Sequence, residues 1–144
     1  MKDFGLLKEL MEGFIPFNKY LGVEVAGIEE GFARLELPFR EEFIGDPVRR
    51  ALHGGVISTL ADTAGGMAVW SAIEDTRVRV STIDLRIDYL RPGRGERLAA
   101  EARVVRQGNR VGVADVRLFH PSREDETVAT GKGVYNITLV KAAV

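Results

Sequence analysis

The stretch LHGGVISTLADTAGG, Leu52 to Gly66, runs on into MAVW and reads as one helix from about Gly54 to Ile73. Val56, Ile57, Leu60, Ala61, Ala64, Met67, Ala68, Val69 and Trp70 leave almost no polar face on it. A helix apolar nearly all round must be covered on nearly every side, so the remaining chain has to supply that cover. Yet the segment opens on His53-Gly54-Gly55, carries Gly65-Gly66, and holds one lone carboxylate, Asp62. An interior helical glycine costs about 1 kcal/mol relative to alanine, so these glycines need a reason beyond helix formation.

The cover is written in the flanking sequence. Phe4, Leu6, Leu7, Leu10 and Met11 fall at helical spacing within residues 2 to 13, and Gly13 and Pro16 then interrupt, which predicts a short N-terminal helix. VEVAGIEEGFARLELPF reads as a hairpin turning at Glu-Glu-Gly, and residues 39 to 52 read as a loop. Four longer runs, RVRVSTIDLRIDYLRP, ERLAAEARVVRQG, RVGVADVRLFH and TVATGKGVYNITLV, are joined by PGRG, GN and PSREDE turns and predict a meander of antiparallel strands. In the first of them Ile83, Leu85, Ile87 and Tyr89 alternate with Thr82, Asp84, Arg86 and Asp88, giving one apolar and one charged face. The predicted fold class is α+β: a curved antiparallel sheet wrapped around one long central helix, its other face and edges left for a partner.

Composition narrows the function. The 144 residues fit one domain, 1–144, with a real core. Twenty Lys and Arg against 21 Asp and Glu give a net charge of −1, which argues against nucleic acid and for a small-molecule task. There is no cysteine, and the two histidines, His53 and His120, are far apart in sequence, so no metal site is expected. MKDFGLLKELMEG lacks the apolar run and cleavage site of a signal peptide, and no stretch approaches ~18 apolar residues, so a cytoplasmic protein without a membrane partner is expected.

The head of the central helix is where chemistry is expected. The N–H groups of Gly54 and Gly55 lie in its first turn, unpaired within the helix and at the positive end of its dipole, a place suited to an oxyanion. Asp62 follows eight residues after Gly54, about 12 Å along the axis at ~1.5 Å per residue. One reacting carbon cannot lie ~3 Å from both, so a shared reaction requires two chains with their helices antiparallel across a two-fold axis. In that arrangement Gly65 and Gly66 admit a neighbouring backbone or an acyl chain. His53 acts either in proton transfer or as a capping residue that orients the helix head.

LHGGVISTLADTAGG, followed by VSTIDLRIDYLRPG and VVRQGNRVGVADVRL, resembles the hotdog-fold acyl-CoA thioesterases of the phenylacetyl-CoA thioesterase (PaaI-like) group, over roughly Phe17 to Leu139. The resemblance implies hydrolysis of an aryl- or medium-chain acyl-CoA to the free acid and CoA, with no cofactor because CoA is part of the substrate. It also implies a homodimer, or a homotetramer made of two dimers. It assigns the general base or nucleophile to Asp62, carbonyl polarisation to Gly54, and the small hydroxyl residue of the next strand to Thr82, with Ser81 second. Members of the group often carry an asparagine about six residues before the histidine. Here Pro47 stands there, leaving Asp46, Arg49 or Arg50 as substitutes. Among the turn arginines, Arg94 and Arg110 are the preferred contacts for the CoA phosphates. Three other readings use the same features: a hotdog enoyl-CoA hydratase or dehydratase, a non-catalytic acyl-CoA-binding protein, and an assembly protein, the last giving no reason for the two glycine pairs.

Overall fold

A computed structural model describes residues 2–75 and 77–140. The predicted central helix is α3, Gly54–Ser71. Around it runs a six-stranded antiparallel sheet built from β1 (Glu24–Glu29), β2 (Phe32–Leu37), β5 (Val78–Tyr89), β6 (Leu98–Gln107), β7 (Val111–His120) and β8 (Arg123–Leu139), in the order β1-β2-β6-β7-β8-β5. Leu60, Ala61, Ala64, Met67 and Ala68 of the helix meet Leu35, Ala100, Ala102, Val116 and Leu118 of the sheet in one buried cluster. Alanines on the inner strand positions keep that face shallow, so helix and sheet approach closely. Ser71 closes the helix: its hydroxyl donates to the Ala68 carbonyl at 2.7 Å and accepts from Gly31 N–H at 2.9 Å. This pins the β1–β2 turn, where Gly31 takes φ +76°, against the helix end.

Several sequence expectations are corrected. The N-terminal helix is longer and composite: α1 (Phe4–Glu9) widens into a π turn at Leu10–Phe14 and is followed by α2 (Pro16–Leu21). Pro16 starts this last helix instead of ending the region, because a first-turn proline lacks only an N–H that would have had no partner. The stretch expected as a loop carries a 3₁₀ turn, Glu41–Phe43, and a small ribbon of β3 (Ile44–Asp46) and β4 (Ala51–Leu52). The four long strands are not a simple meander. β6, β7 and β8 are consecutive, but β5 crosses to the far side and pairs with β8 as the sheet's edge.

The alternation expected in β5 also breaks, at a bulge. Thr82 faces Tyr135 and Asp84 faces Val134 across the ladder, so Ile83 is the extra residue and is 57% exposed. A bulge reverses the side-chain phase beyond it. Thr82 is thereby brought to the helix side, not to the charged face with Asp84, Arg86 and Asp88.

The helix is not covered all round. Gly55 is exposed, and Thr59, Asp62, Thr63, Gly66 and Trp70 are only half-buried, leaving an open stripe along α3. Among the described residues no helix is long and apolar enough to cross a membrane.

Candidate active site

At the helix head, His53 is the N-cap. Its Nδ1 accepts the Gly55 N–H at 2.8 Å, so the neutral ring carries its proton on Nε2. The Gly55 amide, expected to serve an oxyanion, is therefore engaged within the chain. No acceptor among the described residues takes the Gly54 N–H. Replacing His53 by alanine is expected to destabilise the protein by about 1 kcal/mol, the usual effect of losing a cap, read as a shift in the denaturant midpoint.

A depression of about 490 Å³ lies in front of Gly54, bordered by Asp46, Arg49, Tyr89 and Arg91. Tyr89 Oη donates to the Gly54 carbonyl at 2.9 Å and also meets the Ser58 hydroxyl. Asp46 accepts from Val48 N–H at 3.0 Å, Arg49 N–H at 3.1 Å and Arg49 Nε at 2.8 Å. The Arg49 side chain holds its carboxyl below the usual carboxylate range. Of the residues considered in place of an asparagine at Pro47, Asp46 and Arg49 border this depression, while Arg50 pairs with Glu41 at 2.7 Å.

Asp62 borders a separate depression of about 210 Å³. Thr82 donates its hydroxyl to Asp62 Oδ1 at 2.8 Å, leaving Oδ2 without a protein donor among the described residues. Ser81 also borders the depression, but the hydrogen bond is made by Thr82. From β8, Tyr135 Oη donates to the Asp62 backbone carbonyl at 2.9 Å. Burial, and then the charge of Asp62, push the Tyr135 hydroxyl well above its ordinary pKa, so it remains a proton donor. Met67 and Val69 are fully buried in the core. The apolar walls are instead Met11, Ile15, Trp70 and Val80.

The second glycine pair has an explanation within the chain. A Cβ on Gly65 would overlap the Tyr135 hydroxyl and stand 3.0 Å from Cζ, and one on Gly66 would lie 3.4 Å from the same ring. Tyr135, 1% exposed, is seated against the helix because both positions lack side chains.

Gly54, His53 and Asp62 thus lie on one helix, and Thr82 joins Asp62, but the helix head and the carboxylate open onto different depressions. The two arginines expected at CoA phosphates are not brought together. Arg94 donates its backbone N–H to His120 Nε2 at 2.9 Å and bridges to Ala51, beside the helix head. Arg110 lies by the helix tail, in a depression it shares with Ala72 and Ile73. The arginines beside Gly54 are Arg49 and Arg91. Sequence reasoning missed Tyr89 and Tyr135 as site residues. Tyr89 was absorbed into an alternating apolar strand, and the signal for Tyr135 was Gly133 two positions before it, where a Cβ would collide with the tyrosine ring. Among the described residues no three His, Asp or Glu side chains converge as a metal site would require.

A curved antiparallel sheet around one long helix, with a glycine-opened head and a carboxylate two turns on, defines the hotdog class. Residues 50–127 match the family described as Thioesterase superfamily. The medium/long-chain acyl-CoA thioesterase YigI of Escherichia coli is 38% identical over 92% of both chains. The acyl-coenzyme A thioesterase PaaI of the same organism is 33% identical over 80% of this chain and 77% of its own. A solved Shewanella oneidensis structure described as related to the thioesterase superfamily superposes with a TM-score of 0.80 at 28% identity, covering 93% of this chain and 94% of that one. The chain belongs to the thioesterase superfamily.

Proposed function

We propose that this protein is an acyl-CoA thioesterase whose active site is shared between two copies of the chain, each an undivided domain over residues 1–144. The observation that carries this reading is the separation of the two half-sites. Gly54 with its free N–H and Asp62 with its free Oδ2 lie eight residues apart on one open helical stripe and face different depressions. Two such stripes packed antiparallel bring the Gly54 of one chain to the Asp62 of the other. The edge strand β5, whose outer side pairs with no strand among the described residues and whose Ile83 is exposed, is the natural seam for that pairing. The similarity to YigI and PaaI supports acyl-CoA as the substrate class. A CoA thioester places the reaction in the cytoplasm, and the chemistry calls for no cofactor.

In the reaction, the thioester carbonyl oxygen accepts the Gly54 N–H at the positive end of α3, where negative charge is stabilised as it develops. Asp62, its Oδ1 held by Thr82, takes a proton through Oδ2 from a water that attacks the carbonyl carbon. The tetrahedral intermediate collapses, the carbon–sulfur bond breaks, and the CoA sulfur leaves with that proton. Arg49 and Arg91, beside Gly54, are placed to meet phosphates of the departing CoA. The outer sheet face carries Arg86, Arg103, Arg117 and Lys132 interleaved with Asp84, Asp88, Glu101 and Asp115. This self-complementary surface supports pairing of two dimers into a tetramer.

The test is complementation. Gly54→Ala adds a methyl group where the thioester must approach, and it folds because that Cβ meets only the Tyr89 ring, at 3.4 Å. Mixing it with Asp62→Asn, each inactive alone, through unfolding and refolding should restore about a quarter of wild-type thiol release, since half the dimers then hold one intact site. No recovery in verified mixed dimers would place the site within one chain.

A further inference from the structure

His120 ends β7 with its side chain 3% exposed, and the reaction above makes no use of it. Its two ring nitrogens hold one turn of chain, Gly93 to Arg97. Nε2 accepts the Arg94 N–H at 2.9 Å, and Nδ1 donates to the Arg97 carbonyl at 2.8 Å. The ring therefore stands where a neighbouring strand would, giving one backbone donor and one backbone acceptor their partners. A Glu96 carboxylate oxygen lies 3.8 Å from Nδ1, and its charge favours the proton on that nitrogen. The other side of the turn lies on the helix head. The Gly93 carbonyl accepts the Leu52 N–H at 2.9 Å, Arg94 bridges to Ala51, and a Cβ on Gly93 would stand 3.1 Å from Leu52 and 3.3 Å from Ile57. Leu52, Gly93 and Gly54 border the same depression. What the turn offers beside it is a cation: Arg94 is exposed, and its guanidinium pairs with no carboxylate among the described residues. Its neighbours are engaged, Arg49 with Asp46 at 2.8 Å, Arg91 with Glu126 at 3.7 Å and Arg97 with Glu24 at 2.9 Å.

We infer that His120 is a positioning residue: its buried ring fixes the Gly93–Arg97 turn against the helix head and so holds Arg94 where it meets a phosphate of CoA. This rests on the placement of the thioester carbonyl at Gly54 given above. The chemical step does not pass through His120. The His53 N–H donates to the Phe43 carbonyl at 2.8 Å and Tyr89 holds the Gly54 carbonyl, and neither contact runs through the turn. A side chain without the two nitrogens leaves the Arg94 N–H and the Arg97 carbonyl without partners, and the turn relieves this by moving toward water. Arg94 moves with it. What is lost is affinity for the nucleotide end of the substrate, not the rate at which the bound thioester is cleaved.

The experiment measures thiol release from octanoyl-CoA and from S-octanoyl-N-acetylcysteamine, which has the same thioester but no nucleotide and no phosphate. His120→Leu and Arg94→Ala are each expected to raise KM for octanoyl-CoA about tenfold, the usual effect of losing one charge-assisted hydrogen bond, with kcat within about twofold of wild type. The double variant is expected to be no worse than either single, because both act at one contact. His120→Leu leaves kcat/KM for the N-acetylcysteamine thioester unchanged, whereas a merely structural histidine would lower it for both substrates. His120→Gln, whose amide keeps one donor and one acceptor, recovers most of the lost affinity. In wild type, nitrogen NMR should show the two histidines as opposite tautomers, His120 protonated on Nδ1 and His53 on Nε2. If the leucine variant does not fold, His120→Asn, too short to reach both partners, takes its place. An unchanged KM in the folded His120 variant or in Arg94→Ala, an equal loss on both substrates, or a neutral His120 protonated on Nε2 overturns the inference while leaving the thioesterase standing. Absence of thiol release from both compounds in wild type overturns the thioesterase reading itself.

Discussion

Asp62→Asn is expected to lower thiol release from acyl-CoA by about 10²- to 10⁴-fold, the range a positioned general base contributes, with little change in stability. The substitution is nearly isosteric and keeps an oxygen to accept the Thr82 hydroxyl, so the bond at 2.8 Å to β5 is retained. The backbone carbonyl at residue 62 continues to accept from Tyr135. What is lost is the anionic Oδ2, the atom the mechanism uses. Thiol release measured beside a thermal melt separates the two effects. A folded variant with full activity removes Asp62 from the chemistry, and with it the need for a shared site.

The largest expected effect on stability is at Gly65. A methyl group there overlaps the Tyr135 hydroxyl, and Tyr135 has little room to retreat because a Cβ on Gly133 would sit 2.5 Å from its Cε2. The tyrosine is packed into a slot whose walls are glycines on two elements. Gly65→Ala removes about 1 kcal/mol of helix penalty yet is expected to cost about 1–3 kcal/mol net through overpacking. Tyr135→Phe alone loses one hydrogen bond, worth about 1 kcal/mol. Because both changes act at one contact, the double variant should be less destabilised than the two singles added together, a coupling that a double-mutant cycle in urea would measure. Simple additivity would mean the tyrosine does not occupy this slot in solution.

Much of the fold was legible because it rests on periodicity. The helix from Gly54, the hairpin turning at Gly31 and the strand character of the four long runs all follow from spacing. What was not legible depends on long-range placement. A bulge such as the one at Ile83 is set by the partner strand, and the sequence TIDLRID shows only the alternation that the bulge interrupts. The crossing of β5 to the far edge is a matter of topology, which neither β5 nor PGRG encodes locally. In the candidate site, Asp62 and Gly54 stood out by type and spacing, and Thr82 only through the family resemblance. His53 resolved to a cap once its Nδ1 could be seen to hold the Gly55 amide, and the glycine pair at 65 and 66 was explained only by a tyrosine some seventy positions later.

Asp62 is gripped by two neighbouring strands at once, its carbonyl by Tyr135 of β8 and its carboxylate by Thr82 of β5, and these residues face each other across the ladder. The carboxylate therefore acts as a gauge of whether that outermost seam of the sheet is closed. Strand β5 is held from outside only by the second chain, so wherever the two copies separate it opens at lower free energy than the packed centre. Fraying of β5 from β8 would loosen Thr82 from Asp62 while α3 and the inner strands stay folded. On warming, catalytic competence should fade several degrees before the helical signal does, so that activity reports on the seam and circular dichroism on the core.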